Sequence, residues 1–271
     1  MYSETITYKG YQIKIHTDEG PENPFEAWDC NPPLLAFYAG RHENLTAYNA
    51  PETIGQICDM LPDSLFSRGQ RVPLIREYLN CSLKDFAEAH RDNRSWSEPG
   101  SIAETRETFA RLAEEQVGAK PHGWRDALEW FEMAECLLTY AGIPCLNVQS
   151  NGYSQGDSTL LLAIATPAFL AESGVLPENA AAGLKSATDL YSAWAWGDVY
   201  GVSEITAPGP LDEDGDETEG EELEHGSCWG FYGRDHEKSG LMEHATSTID
   251  CHIEEQAKEA HDLESALCSA E

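Results

Sequence analysis

Short apolar segments predict a set of β-strands along the chain. Residues 5–15 alternate apolar and polar side chains around Lys9-Gly10, which indicates a strand or a short hairpin. Residues 34–38 and 158–165 are almost continuously apolar, as is typical of buried strands. Shorter apolar segments predict further strands at 145–149, 194–205 and 227–233.

Apolar residues at helical spacing predict four longer helices, at 101–117, 123–140, 179–193 and 251–268. The first of them has a capping-box pattern, with Ser101 followed three residues later by Glu104. In the second and the last, the apolar residues share one side of the helix. Shorter helices are expected up to about residue 60 and at 74–79, 82–90 and 167–174.

This mixture of elements predicts an α+β fold with at least one antiparallel sheet packed against several helices. We predict an N-terminal α+β region, 1–145, and an acidic C-terminal α+β region, 146–271. The second region would contain a hairpin at 194–233, a long acidic loop and the C-terminal helix. One continuous domain is compatible with the same pattern.

The net charge excludes several classes of protein. The 271 residues include 17 Lys and Arg and 48 Asp and Glu, a formal net charge of −31. So few cations cannot neutralise a row of phosphates or attract the chain to an anionic membrane, so neither direct nucleic-acid binding nor membrane binding is expected. A hydrophobic content of 41%, with 10% aromatic residues, argues against a wholly disordered chain.

The compartment expected from the sequence is the cytoplasm. The first residues show neither a basic nor an apolar signal-peptide region, and the longest apolar run, 160–165, is far too short to span a bilayer. The eight cysteines occur singly, without C-x-x-C spacing. We expect them to be small buried hydrophobic residues in a reduced protein.

Most of the negative charge belongs to the second half of the chain. Residues 126–271 contain 29 acidic and four basic residues, whereas residues 1–125 contain 19 acidic and 13 basic residues. Nine carboxylates without a cation lie between residues 212 and 224, in a segment flanked by Pro and Gly that reads as a solvated loop. They are Asp212, Glu213, Asp214, Asp216, Glu217, Glu219, Glu221, Glu222 and Glu224.

The familiar catalytic and metal-binding patterns fail on spacing. An EF-hand loop that starts at Asp212 would have Glu217 at its glycine position and Leu223 at its final glutamate position. Gln155 breaks a G-x-S-x-G match at Ser154. A metal site among the histidines near Cys228, or a Cys228–His pair, has no supporting spacing. We therefore expect no catalytic residue, metal or cofactor.

Aromatic residues crowd the two segments that flank the acidic loop. Residues 196–201 read WGDVYG and residues 229–233 read WGFYG, which suggests paired strands with the loop at their tip. Core packing explains such a cluster simply. The alternative is an aromatic-rimmed edge that binds Lys/Arg-rich protein surfaces through salt bridges and cation–π contacts.

Four segments resemble an uncharacterised family of acidic proteins encoded by phages and plasmids. They are PFEAWD at 24–29, YSQGD at 153–157, WGDVYG at 196–201 and SCWGFYG at 227–233. The resemblance covers about half of the chain in patches and brings no catalytic residues with it. It implies a mobile-element context, in which acidic proteins often inhibit host defence as anti-CRISPR or antirestriction proteins that imitate nucleic-acid charge.

The leading hypothesis is a non-enzymatic inhibitor of a nucleic-acid-directed defence complex, with a CRISPR effector as the expected partner. It would bind Lys/Arg surfaces that normally hold DNA or guide RNA. The expected contact residues are the nine loop carboxylates together with Trp196, Tyr200, Trp229, Tyr232, Glu254, Glu255 and Glu259. The sequence does not define the oligomeric state.

Two other hypotheses remain open. One is a small enzyme or nucleotide-binding protein that acts on a defence signal, with a site near residues 153–157 and Asp198. The other is an acidic assembly or chaperone-like protein for basic partners. The enzyme hypothesis requires the named residues to converge in a closed pocket. The chaperone-like hypothesis differs in that the acidic loop would have no specific role.

Overall fold

A computed structural model describes residues 2–28, 31–39, 44–67, 73, 79, 101–151, 158–210, 220–224 and 226–268. The described strands form two four-stranded antiparallel sheets, and helices pack against them, so the α+β prediction is confirmed. The contacts divide the chain into a terminal unit, Met1–Ala27 with Ala193–Glu271, and a central unit, Trp28–Ser192. Residue 145, the predicted boundary between the two regions, lies within the central unit at the start of a strand.

The central unit is built on a sheet of order β4-β3-β6-β5. Its strands are β3 (Leu34–Ala39), β4 (Asn44–Tyr48), β5 (Cys145–Asn151) and β6 (Ser158–Ile164). Leu34 pairs with Tyr48 on one side and with Ala163 on the other. Buried residues are consecutive along β3 and β6, which explains why both read as continuous apolar runs.

Two helices of the central unit, the one after Ser101 and the one that starts at Pro167, begin where sequence signals predict. The unit contains α2 (Ile54–Met60), α3 (Ile102–Val117), α4 (Trp124–Tyr140) and α5 (Pro167–Ser173), followed by α6 (Ala180–Ala195), whose last residues pass into the terminal unit. Ser101 and Glu104 form a reciprocal capping box at the start of α3. The core contains the stripe on α4: Ala127, Trp130, Phe131, Ala134, Leu137 and Leu138. The helices expected at 74–79 and 82–90 lie outside the described residues, apart from Leu79.

The terminal unit joins both ends of the chain in a sheet of order β1-β2-β7-β8. Its strands are β1 (Ser3–Tyr8), β2 (Tyr11–Thr17), β7 (Val199–Thr206) and β8 (Cys228–Tyr232). Lys9 and Gly10 both have positive φ, as a tight hairpin turn requires, so residues 5–15 form a hairpin and not a single strand. A short helix, α1 (Pro24–Ala27), follows β2.

Two predicted boundaries in this unit are wrong. Strand character was expected from residue 194, but Trp194 still belongs to α6, and Gly197 turns the chain with a φ of 72° before β7 begins. The last helix, α7 (Leu241–Cys268), starts ten residues earlier than the predicted 251. Leu241, Ala245 and Ile249 recur every four residues and are fully buried against the sheet.

The cysteines are not uniformly buried, contrary to the expectation from their spacing. Cys58 is buried in the central core, whereas Cys136 and Cys251 are exposed. Burial raises the pKa of the Cys58 thiol to about 12, with the nearby carboxylates of Asp59 and Glu114 adding to the effect. The thiolate is the reactive form, so Cys58 should be inert at neutral pH.

Brief alkylation of the folded protein at pH 8 should modify Cys136 and Cys251 and leave Cys58 unmodified. The reason is that Cys58 is both enclosed and protonated at that pH. Peptide mass spectrometry with and without denaturant measures each site, and denaturation should expose Cys58 to the reagent. Rapid native labelling of Cys58 would contradict the packing described for α2.

Candidate functional site

The acidic loop leaves and re-enters the sheet of the terminal unit at a closed base. Glu222 forms a β-bridge with Thr206, and backbone N–H groups of Ala207 and Leu223 donate to carbonyls across the base at 2.8 Å. A Cβ at Gly220 would lie 1.7 Å from the Ala207 carbonyl oxygen, so only glycine fits there. The base of the loop is therefore held by backbone pairing and by the close approach of the segments around Ala207 and Gly220.

Three of the nine predicted loop carboxylates are described, and all three are exposed: Glu221, Glu222 and Glu224. Leu223 between them is buried in the core of the terminal unit, which fixes the segment to the sheet. The other six lie outside the described residues: Asp212, Glu213, Asp214, Asp216, Glu217 and Glu219. Carboxylates thus start directly at the edge of the sheet.

Trp229 is the exposed aromatic residue of the predicted set. It lies on β8 and is 47% exposed, although a tryptophan side chain is usually largely buried. A Cβ on Gly201 of β7 would come within 2.3 Å of its ring, so the indole lies directly over the Gly201 backbone. Glycine at 201 therefore gives Trp229 a flat support and a fixed orientation on the sheet.

A cleft of about 450 Å³ opens beside this indole. His16 on β2 pairs with Gly201, so the strand register brings the end of β2 next to Trp229. The chain then turns at Asp18, whose N–H donates to the Val199 carbonyl at 2.8 Å. The lining residues are His16, Thr17, Asp18, Glu19, Gly20 and Trp229, and we call this space the Trp229 cleft.

The chemistry of the Trp229 cleft favours a cation. Asp18 accepts a hydrogen bond from the Gly20 N–H at 3.0 Å, which holds one carboxylate in place, and Glu19 beside it is exposed. No Lys or Arg is among the described residues that line the cleft. An indole face with two nearby carboxylates matches a Lys or Arg side chain, through a cation–π contact and charge-assisted hydrogen bonds.

Tyr200, predicted as a contact residue, belongs to the core instead. It is only 8% exposed and packs against the rings of Tyr2 and His236, at centroid distances of 5.6 and 5.0 Å. Burial raises the pKa of its hydroxyl, and the nearby Asp198 carboxylate adds to the effect. Tyr200 belongs to the same apolar cluster as Leu241, Ala245 and Ile249 of α7.

The other two predicted aromatics are half-buried. The Tyr232 hydroxyl donates to the Glu22 carbonyl at 2.7 Å, and this contact fastens β8 to the segment before α1. Burial raises the pKa of Tyr232, followed by the effects of the Glu22 and Asp18 carboxylates. Trp196 lies at the turn between α6 and β7.

The predicted acidic residues of the C-terminal helix are on its exposed half. The core-facing residues of α7 end at about Ile253, and all described positions from 254 to 262 are exposed, including Glu254, Glu255 and Glu259. The terminal unit as a whole contains 26 acidic and five basic residues. Four of its cations already pair with carboxylates: Lys9 with Asp250, Lys14 with Glu204, Arg234 with Asp198 and Lys238 with Asp235.

The alternative site near residues 153–157 lies outside the described residues, so its geometry stays a prediction. Asp198, its proposed partner, accepts a hydrogen bond from the Arg234 Nε at 2.8 Å and stabilises the end of the β7–β8 pair. In the described part of the chain, no three His, Cys, Asp or Glu side chains are grouped to hold a metal ion. His236 and His244 instead pack against Tyr200 and Phe231.

The chain matches no known family model, no curated protein and no solved structure. Within the described residues, no helix combines the length and apolar character needed to cross a membrane.

Sequence reasoning missed His16, Asp18 and Glu19. Asp18-Glu19-Gly20 is a turn signal after a predicted strand, but only the pairing of β2 with β7 brings it to Trp229. A partial signal was present in the two glycine-flanked aromatic segments, because a glycine inside a strand often marks a close approach of another group. Gly201 is such a position.

Replacing Gly201 with alanine should destabilise the terminal unit by about 1–3 kcal/mol, because the new Cβ would overlap both the Trp229 ring and the Cys228 carbonyl. Gly183→Ala is the matched control. Gly183 is the fourth residue of α6, its Cβ would meet only Val175 at 4.0 Å, and there alanine should stabilise the helix by about 0.5–1 kcal/mol. Denaturant unfolding measures both changes. Equal stability of the two variants would contradict the contact between Trp229 and Gly201.

Proposed function

We propose that this protein is a non-enzymatic acidic inhibitor of a host nucleic-acid-directed defence complex, with a CRISPR effector as its partner. It binds Lys/Arg surfaces that normally hold DNA or guide RNA. The observation that carries the proposal is the Trp229 cleft, an exposed indole with two carboxylates beside it, in a unit with 26 acidic and five basic residues. The resemblance of its motifs to acidic phage and plasmid proteins supplies the biological context.

Charge and the cleft have different roles in this mechanism. The surplus of carboxylates in the terminal unit attracts a basic surface over a distance of about one Debye length and raises the rate of encounter. A Lys or Arg side chain that enters the cleft gains about 0.5–2 kcal/mol from the indole face, depending on how far water is excluded. The cleft therefore adds residence time and selectivity to an interaction that charge alone would leave diffuse.

The exposed carboxylates at the base of the loop and on α7 enlarge the contact surface. Glu221, Glu222 and Glu224 start at the sheet edge, and Glu254 and Glu255 stand on the part of α7 that leaves the core. The α7 helix fixes the spacing of Glu254 and Glu255, and backbone pairing at the base of the loop holds Glu221 and Glu222, so these carboxylates occupy several cationic side chains of a phosphate-binding surface at once. Occupied cations cannot bind nucleic acid, and this competition is the inhibitory step.

Affinity for the partner should fall at least about tenfold between about 50 and about 500 mM salt, because screening weakens contacts between exposed charges. The measurement uses purified CRISPR effector complexes, in binding titrations and in DNA-cleavage assays with and without the protein. Trp229→Ala should weaken binding by about 2- to 30-fold at either salt concentration, since the indole contributes about 0.5–2 kcal/mol.

The charge contribution is tested with matched pairs of substitutions. Asp18→Asn with Glu19→Gln should weaken binding, whereas Glu132→Gln with Glu178→Gln, which makes the same change in net charge on exposed positions of the central unit, should change it less than about twofold. An equal loss of affinity in both pairs would mean that binding depends on net charge alone and not on the Trp229 cleft. Binding that changes neither with salt nor with Trp229→Ala would contradict the proposal. The absence of binding and inhibition with every effector class tested would contradict it too.

A further inference from the structure

A second cleft, of about 610 Å³, lies in the central unit and is independent of the acidic loop and of Trp229. Its place follows from the strand register. β3 starts at Leu34, where β4 and β6 end, because Leu34 pairs with both Tyr48 and Ala163. The loop before β3 and the segments that lead into α2 and α5 therefore meet at one end of the sheet. We call this space the α2–α5 cleft.

Helical spacing sets the two walls of the α2–α5 cleft. On α2, Asp59 and Met60 lie one turn after Gln56, and on α5, Glu172 lies one turn after Ala168 and Phe169. Pro33, Met60 and Phe169 supply an apolar lining, and Pro33 and Phe169 are buried. A concave apolar surface of this size with a few polar groups is typical of a small-molecule site.

Three of the uncharged polar side chains around the cleft already bond the backbone at the ends of helices. The Gln56 Oε1 accepts hydrogen bonds from the N–H groups of Glu52 and Thr53, at 2.7 and 3.1 Å. The Thr166 Oγ1 accepts one from the Phe169 N–H at 3.2 Å, and the Ser173 hydroxyl donates to the Phe169 carbonyl at 2.7 Å. These groups stabilise the walls, so they contribute less to the recognition of a ligand.

The two carboxylates in the cleft, Asp59 and Glu172, are not committed in this way. Both are exposed, one on each wall, and neither has an ion-pair partner among the described residues. The described lining contains no Lys or Arg, which disfavours phosphate and carboxylate ligands. Carboxylates on both sides of an apolar floor match a cation that has an aliphatic body.

From this geometry we propose that the α2–α5 cleft binds an organic cation, an ammonium or guanidinium group on an aliphatic chain. The methylene groups would lie on Pro33, Met60 and Phe169, and the cationic end groups would reach Asp59 and Glu172. A free alkyl amine and a lysine side chain of a peptide share this chemistry. The proposal does not depend on the function assigned to the terminal unit.

The direct test is titration with cadaverine by isothermal calorimetry at low salt. The Trp229→Ala background removes the contribution of the Trp229 cleft, so failure here is distinct from failure of the inhibitor proposal. We expect saturable binding of cadaverine and at least about tenfold weaker binding of its dihydroxy analogue, which has the same length without charge. A short lysine-containing peptide, in a separate titration, distinguishes a peptide ligand from a free amine by which of the two binds more tightly.

Two variants and one control locate the site. Asp59→Asn with Glu172→Gln should weaken cadaverine binding about tenfold or more. Ala168→Trp, which keeps both carboxylates and fills the cleft from the exposed start of α5, should also abolish it. The control is Glu132→Gln with Glu178→Gln, which removes the same charge from exposed positions of the same unit and should leave affinity within about twofold.

Circular dichroism and thermal unfolding establish that each variant is folded before it is titrated. An equal loss in the control pair would overturn the proposal, because the amine would then bind the negative charge of the chain in general. Unchanged binding in folded Ala168→Trp would overturn it too, since the cation would then lie outside the cleft. Equal binding of cadaverine and the dihydroxy analogue would remove the role of Asp59 and Glu172.

Discussion

The antiparallel pairing of β2 with β7 holds the terminal unit together, and the Trp229 cleft exists because of it. β2 comes from the first residues of the chain and β7 follows the whole central unit. A two-stranded hairpin is marginal on its own, whereas the joined four-stranded sheet buries Ile13, Ile15 and Val202 under α7. The same register sets His16 opposite Gly201, and this places the Asp18 turn beside the indole of Trp229.

The net negative charge of the terminal unit opposes its folding through self-repulsion, and ion pairs between its elements offset part of this effect. Lys14 on β2 pairs with Glu204 on β7, and Lys9 in the hairpin turn pairs with Asp250 on α7. Exposed ion pairs of this kind contribute little to stability, so buried apolar residues must supply most of it. Many of the remaining acidic residues belong to the loop segment and to the exposed part of α7, and Asp18 and Glu19 line the Trp229 cleft. A unit with 26 acidic and five basic residues carries a cost in self-repulsion, which the binding of a cationic group would reduce.

Local sequence patterns predicted which helices and strands form, but they did not predict every boundary or bring together the residues of either cleft. The capping box at Ser101 and the stripe on α4 predicted two helices, since both signals come from residues a few positions apart. The start of α7 was missed although Leu241 and Ala245 continue its apolar face, because polar residues separate them.

The site residues were harder to predict. Trp229 was among the expected contacts, but Tyr200, also expected there, is buried in the same apolar cluster as Val202 and residues of α7. Asp18, Asp59 and Glu172 have no distinguishing neighbours in sequence. Only pairing between distant strands and packing of separate helices gives them a site.

The two proposed cation sites share one chemical principle: each combines carboxylates with an apolar or aromatic wall. Any acidic surface attracts cations, but such attraction is screened by salt and does not select among them. An apolar or aromatic wall adds a contribution that salt does not screen, and it does so only for a cation with a flat or aliphatic body. The affinity that persists at high salt therefore reports the contribution of the walls, which are Trp229 in one cleft and Phe169 with Met60 in the other. Affinity lost with salt measures the surrounding carboxylates. Since selectivity comes from the walls, substitutions there should change which cations bind, whereas substitutions of distant acids should change only how quickly they arrive.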